Sequence, residues 1–189
     1  MRNLVLFMHT SLDGFVAGPN GEMDWINVND EVFQYPSQII KAADTALYGR
    51  VTYQMMQAYW PTAADQPDPS WHDVEHSQWY NKVQKVVVST TLGDAVISNT
   101  RVISRNIASE IKALKDADGK DIVIFGSPRV VHTLAAENLI DDYWLMVNPV
   151  VLGNGIPLFK GLTERIALTL ETSQALSSGV ICLHYKSKQ

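Results

Sequence analysis

Three apolar runs in this chain each give way to a small or hydroxyl residue. Ala46-Leu47-Tyr48 runs into Gly49-Arg50-Val51-Thr52, Val86-Val87-Val88 into Ser89-Thr90-Thr91, and Ile122-Val123-Ile124-Phe125 into Gly126-Ser127-Pro128-Arg129. Short apolar runs bounded by such residues read as strands buried on both faces, as parallel strands are. Helical spacing between them supplies the crossovers that parallel strands require. If the three strands are parallel, their ends share one rim, where open α/β sheets bind ligands.

The rest of the chain fits this alternation. A buried strand is expected over 3–10, closed by the turn Ser11-Leu12-Asp13-Gly14, and a short apolar patch, Phe15-Val16-Ala17, precedes the turn Gly18-Pro19-Asn20-Gly21. Asn29 or Asp30 can cap a helix running to about 43, although Pro36 argues against one unbroken helix. A strand over 45–48 and a helix over 51–59 follow, then a proline-rich surface loop over 61–70 and a helix over 71–82. Further strands are expected over 86–88, 102–103, 122–125 and 143–151, with helices over 107–115 and 130–138. Segments 167–176 and 180–186 read as an antiparallel hairpin around Ser177-Ser178-Gly179. The expected fold is α/β: a mostly parallel sheet with helices on both faces and an antiparallel edge.

Length and composition narrow the class. With 189 residues, 46% of them hydrophobic, one domain over 1–189 can bury a sizeable core. A net charge of −5 and the lack of a basic stripe exclude a nucleic-acid surface. The first apolar run is too short to span a membrane and no cleavage-like region follows it, so a cytoplasmic protein without membrane contact is expected. Cys182, the single cysteine, sits in an alternating apolar stretch and reads as a buried thiol.

The strand ends carry the chemistry. Gly49 would let the backbone approach a ligand, and a helix start bearing Arg50 and Thr52 suits an anion, phosphate above all. Gly126-Ser127-Pro128-Arg129 repeats the pattern with small residues that admit a diphosphate, and Ser89 and Thr90 add hydroxyls. His72-Asp73-Val74-Glu75-His76 matches the H-x-x-E-H arrangement of inverted zinc peptidases. No third ligand motif supports a zinc there, and a solvated helix face is the preferred account, so no metal is expected. Gly153-Asn154-Gly155 lacks the third glycine of a dinucleotide fingerprint. His9, at the rim end of the first strand, fits a core histidine or a pocket wall; His132 and His184 have no companion residues and read as structural. Asp24, Asp30 and Glu31, near Trp25, read singly as helix-start caps.

Taken together, these segments resemble the dihydrofolate reductase fold, and within it the riboflavin-biosynthesis reductase family. The resemblance rests on Ser11-Leu12-Asp13-Gly14-Phe15-Val16-Ala17, Leu47-Tyr48-Gly49-Arg50-Val51-Thr52-Tyr53, Val86-Val87-Val88-Ser89-Thr90-Thr91-Leu92 and Phe125-Gly126-Ser127. It continues through Leu139-Ile140-Asp141-Asp142 to Pro149-Val150-Val151-Leu152-Gly153-Asn154-Gly155-Ile156-Pro157-Leu158-Phe159, in the family's order and over nearly the whole chain.

The resemblance implies an NADPH-dependent reductase of a small heterocyclic (pterin- or pyrimidine-like) or carbonyl substrate. Gly49, Arg50, Val51 and Thr52 would hold cofactor phosphates, Ser89 and Thr90 the region of the 2′-phosphate, and Arg105 would join them by position. Phe125, Gly126, Ser127, Pro128 and Arg129 would meet the diphosphate, and Val16 and Ala17 the nicotinamide. Asp30 falls where dihydrofolate reductases carry their pterin-binding acid, five residues after Trp25, which makes Asp30 the candidate proton donor. Trp25 and His9 are candidates for the substrate pocket. The sequence carries no deaminase domain, so a bifunctional riboflavin enzyme is not expected. The surroundings of Asp30 depart from the reductase pattern and leave the substrate open. Such relatives often pair, and segment 143–151 with the glycine-rich 152–155 could serve a homodimer interface. The reading from another class is a nucleotide-binding sensor without turnover.

Overall fold

Parallel pairing organises the molecule, whose computed structural model describes residues 1–92 and 98–188. The strands are β1 (Leu4–Thr10), β2 (Phe15–Ala17), β3 (Ala43–Gly49), β4 (Gln84–Val88), β5 (Thr100–Ile103), β6 (Asp121–Phe125), β7 (Asp142–Val147), β8 (Ile156–Pro157), β9 (Leu168–Ala175) and β10 (Ile181–Ser187). The helices are α1 (Asp30–Ala42), α2 (Arg50–Tyr59), α3 (Trp71–Lys82), α4 (Ile107–Asp116) and α5 (Pro128–Ala136). One sheet runs β5-β4-β3-β6-β1-β7-β10-β9, parallel from β5 to β7 and antiparallel across β10. This is the expected dihydrofolate reductase-like arrangement, C-terminal hairpin included.

Strand alternation sends successive side chains to opposite faces. Leu4, Leu6, Ile122 and Ile124 pack under Ile111 of α4 and Val131 and Leu134 of α5. Val5, Phe7, Val123 and Phe125 face the other way, toward Val32, Ile39 and Ile40 of α1 and Tyr80 of α3. Each fully buried aliphatic side chain contributes about 1.5–3 kcal/mol, so this double-sided burial is what fixes the register. The register brings the carboxyl ends of β5, β4, β3, β6 and β1 to one rim, with Val88 beside Ile103, Gly49 beside Val88, and Phe7 beside Phe125. Among the described residues, no helix is long and apolar enough to cross a membrane. Cys182 is buried, and burial pushes its thiol up to about 11.

Four local readings change. Asn29 caps α1 through Oδ1, which accepts from Val32 N at 3.0 Å, and the helix continues through Pro36. Burial of Val32, Pro36, Ile39 and Ile40 on one face offsets the roughly 3 kcal/mol that an internal proline costs. The 61–70 loop begins within a 3-10 helix, Trp60–Asp65, whose Ala63 is buried. The 143–151 segment stops pairing at Val147, because Asn148 precedes Pro149, and β7 lies inside the sheet between β1 and β10. Phe15-Val16-Ala17 becomes a strand through antiparallel pairing with β8. The turn before it is tied down by Asp13, which accepts from Ser11 Oγ at 2.7 Å and from the amides of Leu152 at 3.1 Å and Gly153 at 2.7 Å.

Candidate active site

A cavity of about 360 Å³ opens where β1 and β6 end. Phe7, Met8, His9 and Phe125 form its floor, and Val16, Ala17 and Ile156 bring in the β2–β8 pair. Val32, Phe33 and Pro36 of α1 face Val51, Thr52, Met55 and Met56 of α2, while Trp60, His72 and His76 close the back. Gly126, Ser127 and Pro128 complete the lip. None of the residues lining this cavity is an Asp, Glu, Lys or Arg.

The lip is built from two helix starts held together. α2 and α5 both begin without a side-chain cap; α2 keeps first-turn amides for an outside acceptor, whereas in α5 Pro128 has no N–H and Val130 N donates to Ser127 O at 2.9 Å, which leaves the Arg129 amide. Gly126 and Ser127 are both left-handed, at φ +80° and +71°. Ser127 tolerates this, at a cost of about 1–2 kcal/mol, because its Oγ accepts from Gly49 N at 2.5 Å. Gly49 itself has an ordinary φ of −85°. A Cβ there would lie 2.9 Å from Ser127 Oγ and 3.1 Å from its Cβ. Gly49 is therefore small so that Ser127 can approach it, not so that a ligand can, and its amide is already used.

Charge gathers outside the cavity. Arg50, Arg105 and Arg129 are exposed along the rim, at the ends of β3, β5 and β6. Arg50 donates to Gln54 Oε1 at 3.0 Å, and the side chains of Arg105 and Arg129 have no partner among the described residues. Thr90 is exposed beside them, whereas the buried Ser89 closes its own turn by accepting from Thr91 N at 3.1 Å and Leu92 N at 3.0 Å.

The two residues expected near the reacting end lie elsewhere. Asp30 is exposed, does not line the cavity, and accepts from Trp71 Nε1 at 2.9 Å, so it ties α1 to α3. Trp25 donates to Glu22 O at 3.1 Å within its own turn, and Gly21 and Met23 reach the cavity in its place. The spacing from Trp25 to Asp30 matched, but capping at Asn29 starts α1 there and leaves Asp30 on the outer side.

Histidines replace them. His9 lines the cavity, half-buried, and burial pushes its imidazole down to about 4. Its Nδ1 lies 3.4 Å from Nδ2 of Asn148, a fully buried residue unmarked by any motif. Asn148 Oδ1 accepts from Asn27 N at 2.8 Å and Nδ2 donates to Met146 O at 3.0 Å, which fixes the amide orientation. The same Nδ2 also lies 3.3 Å from Thr10 O, and a proton on His9 Nδ1 would point at this NH2 group, so the ring proton is assigned to Nε2. A polar residue directly before a proline, where β7 must end, is the signal that could have singled Asn148 out.

His72 and His76 are buried, not solvated. His72 stacks on Phe33 with ring centroids 4.1 Å apart, and His76 packs 4.0 Å from Trp60. Both are pushed down by burial, His76 to about 3. Asp73 completes a capping box with Ser70 and accepts from Tyr59 Oη at 2.9 Å, and Glu75 pairs with Lys41 at 3.0 Å. The acids of H-x-x-E-H thus serve the helix surface while its histidines serve the cavity wall. Among the described residues, no group of three His, Cys, Asp or Glu side chains could hold a metal ion.

The family model of the RibD C-terminal domain matches residues 2–182. The chain belongs to the RibD C-terminal domain family. Its relatives include the uncharacterized protein YyaP of Bacillus subtilis (strain 168), 33% identical over 187 residues, 97% of this chain and 94% of YyaP. A pyrimidine reductase-like protein from Corynebacterium diphtheriae shares the fold at a TM-score of 0.68 and 15% identity, covering 100% of this chain and 92% of that one. Dihydrofolate reductase from Enterococcus faecalis, complexed with NADP(H), shares it at a TM-score of 0.60 and 17% identity, covering 99% and 97%. The family places the chain among reductase-type folds.

Proposed function

We propose that this RibD C-terminal domain protein is an NADPH-dependent reductase that transfers a hydride to a small heterocyclic or carbonyl substrate. The observation that carries the reading is the rim itself. Two uncapped helix starts lie side by side at the ends of β3 and β6, and three exposed guanidinium groups follow the same edge as far as β5. That spread suits an extended, multiply phosphorylated dinucleotide better than a single anion. Its neutral end has a place to go, because the lip leads into the uncharged cavity past Val16 and Ala17. The Enterococcus dihydrofolate reductase, of the same fold, carries NADP(H), which supports the choice of cofactor.

Bound there, NADPH would supply the hydride. The chain's part is to orient it and exclude water. The first-turn amides of α2, the Arg129 amide of α5 and the side chains of Thr52, Arg50 and Arg129 hold the phosphates, Thr90 and Arg105 extend the site along β4 and β5, and the apolar walls keep the reacting end dry. Calorimetric titration tests this. Arg50→Ala should weaken NADPH binding about 10-fold, the worth of one charge-assisted contact. Equal affinity for variant and wild type would remove Arg50 from the site.

A further inference from the structure

The charge distribution around the cavity says what kind of molecule shares it with the cofactor. Every Arg identified at the rim lies outside, and no carboxylate or cation lines the interior. A charged group taken into such a cavity loses its hydration and finds no counter-ion, a cost of several kcal/mol. The walls are flat and polarizable: Phe33 stacked on His72 on one side, Trp60 against His76 at the back, and the thioethers of Met55 and Met56 beside them. Such surfaces favour a planar ring. Beside the hydroxyls of Thr52 and Ser127 and the rings of His72 and His76, His9 offers this interior a donor whose position is set by a neighbour. The Asn148 NH2 faces His9 Nδ1, which disfavours a proton there and assigns it to Nε2, and no other described residue hydrogen-bonds that nitrogen.

We propose that the cavity takes an uncharged, flat, carbonyl-bearing ring compound of the quinone type, with a carbonyl oxygen accepting from His9 Nε2–H. This rests on the reductase reading for its chemistry but not for its binding. If such a ring is reduced there, it gains one hydride from NADPH, which leaves as NADP⁺, and the resulting monoanion takes one proton from the buffered solvent as it leaves the cavity, giving the dihydroxy form. The proton comes from solvent outside because no Asp, Glu, Lys or Arg lines the cavity. His9 polarises the carbonyl as a neutral donor and keeps its own proton. Pterin- or phosphate-bearing substrates, which call for a buried acid or base, do not suit these walls.

Calorimetry on the full chain, with and without NADPH, tests the proposal with three probes: 1,4-naphthoquinone, its 2-sulfonate and 2-methylnaphthalene. The quinone should bind at least about 100-fold tighter than the sulfonate, as burial of an unpaired charge requires. His9→Phe should weaken the quinone about 10-fold and leave the carbonyl-free hydrocarbon unchanged. A sulfonate that binds as tightly as the quinone overturns the proposal, and so does a quinone affinity indifferent to His9. The wild-type comparison decides even if the variant fails to fold. The NADPH titration is read separately. Quinone selectivity without NADPH binding retires the reductase reading and keeps this one, whereas NADPH binding with preference for the charged ring does the reverse.

Discussion

At the scale of single residues, the site depends on a few contacts that hold backbone to backbone across the sheet. Ser127 Oγ accepts from the Gly49 amide and so joins the loops after β3 and β6. Ser127→Ala leaves that amide half-buried without an acceptor while keeping the left-handed strain. Urea unfolding should show a loss of about 1–3 kcal/mol. A loss near zero would mean that water replaces the hydroxyl and that the tie between loops is not structural. The rim glycines and hydroxyls were legible in the sequence because they interrupt apolar runs. The partner of each was not, since Gly49 and Ser127 are 78 positions apart. The same blindness affected His72 and His76: helical spacing shows which residues share a face but not whether Phe33 and Trp60 cover it.

At the scale of elements, the six parallel strands and their helices could be read from periodicity almost in full, because each buries a face whose period is visible locally. The elements that escaped are those made by pairing. β2 and β8 have three and two residues, too few to show any period, and each exists because the other is there. Gly155, next to β8, lies so close to β2 that a methyl group on it would run into the Ala17 carbonyl oxygen. Gly155→Ala should separate the pair and displace Val16 and Ala17 from the cavity. The expected result is a weakening of NADPH binding by about 10-fold or more with circular dichroism of the main sheet unchanged. Unaltered affinity would show that the pair does not shape the nicotinamide end. α1 gives the opposite lesson: Pro36 is visible, but the apolar face that keeps the helix whole around it is not.

At the scale of the whole molecule, burial of imidazoles in the cavity wall links stability to pH. His76 and His9 are pushed down to about 3 and about 4 by burial, from an ordinary value near 6.5 that the unfolded chain retains. Below pH 6.5 the unfolded chain therefore takes up protons that the folded one refuses, and folding weakens as pH falls toward those lower values. The slope is about 1.4 kcal/mol per pH unit for each such histidine. Glu31 and Glu75 are held low by hydrogen bonds, from Ser177 and Ser37 respectively, so their protonation erodes stability only below the ordinary glutamate range near 4.3. Urea midpoints between pH 6.5 and 5 should thus fall steadily, and His76→Phe should flatten the decline by about one proton's worth. An identical slope in the variant would mean that His76 is protonated in the folded protein.

The contact between Gly49 and Ser127 also has a consequence for divergence. Two positions far apart in the chain share one small volume, so neither can drift alone. A lineage that gains a side chain at position 49 must first lose the one at position 127, and the hydroxyl at 127 can persist only while 49 stays bare. The pair should change together or not at all, a mark left in descent by a distance of a few ångströms.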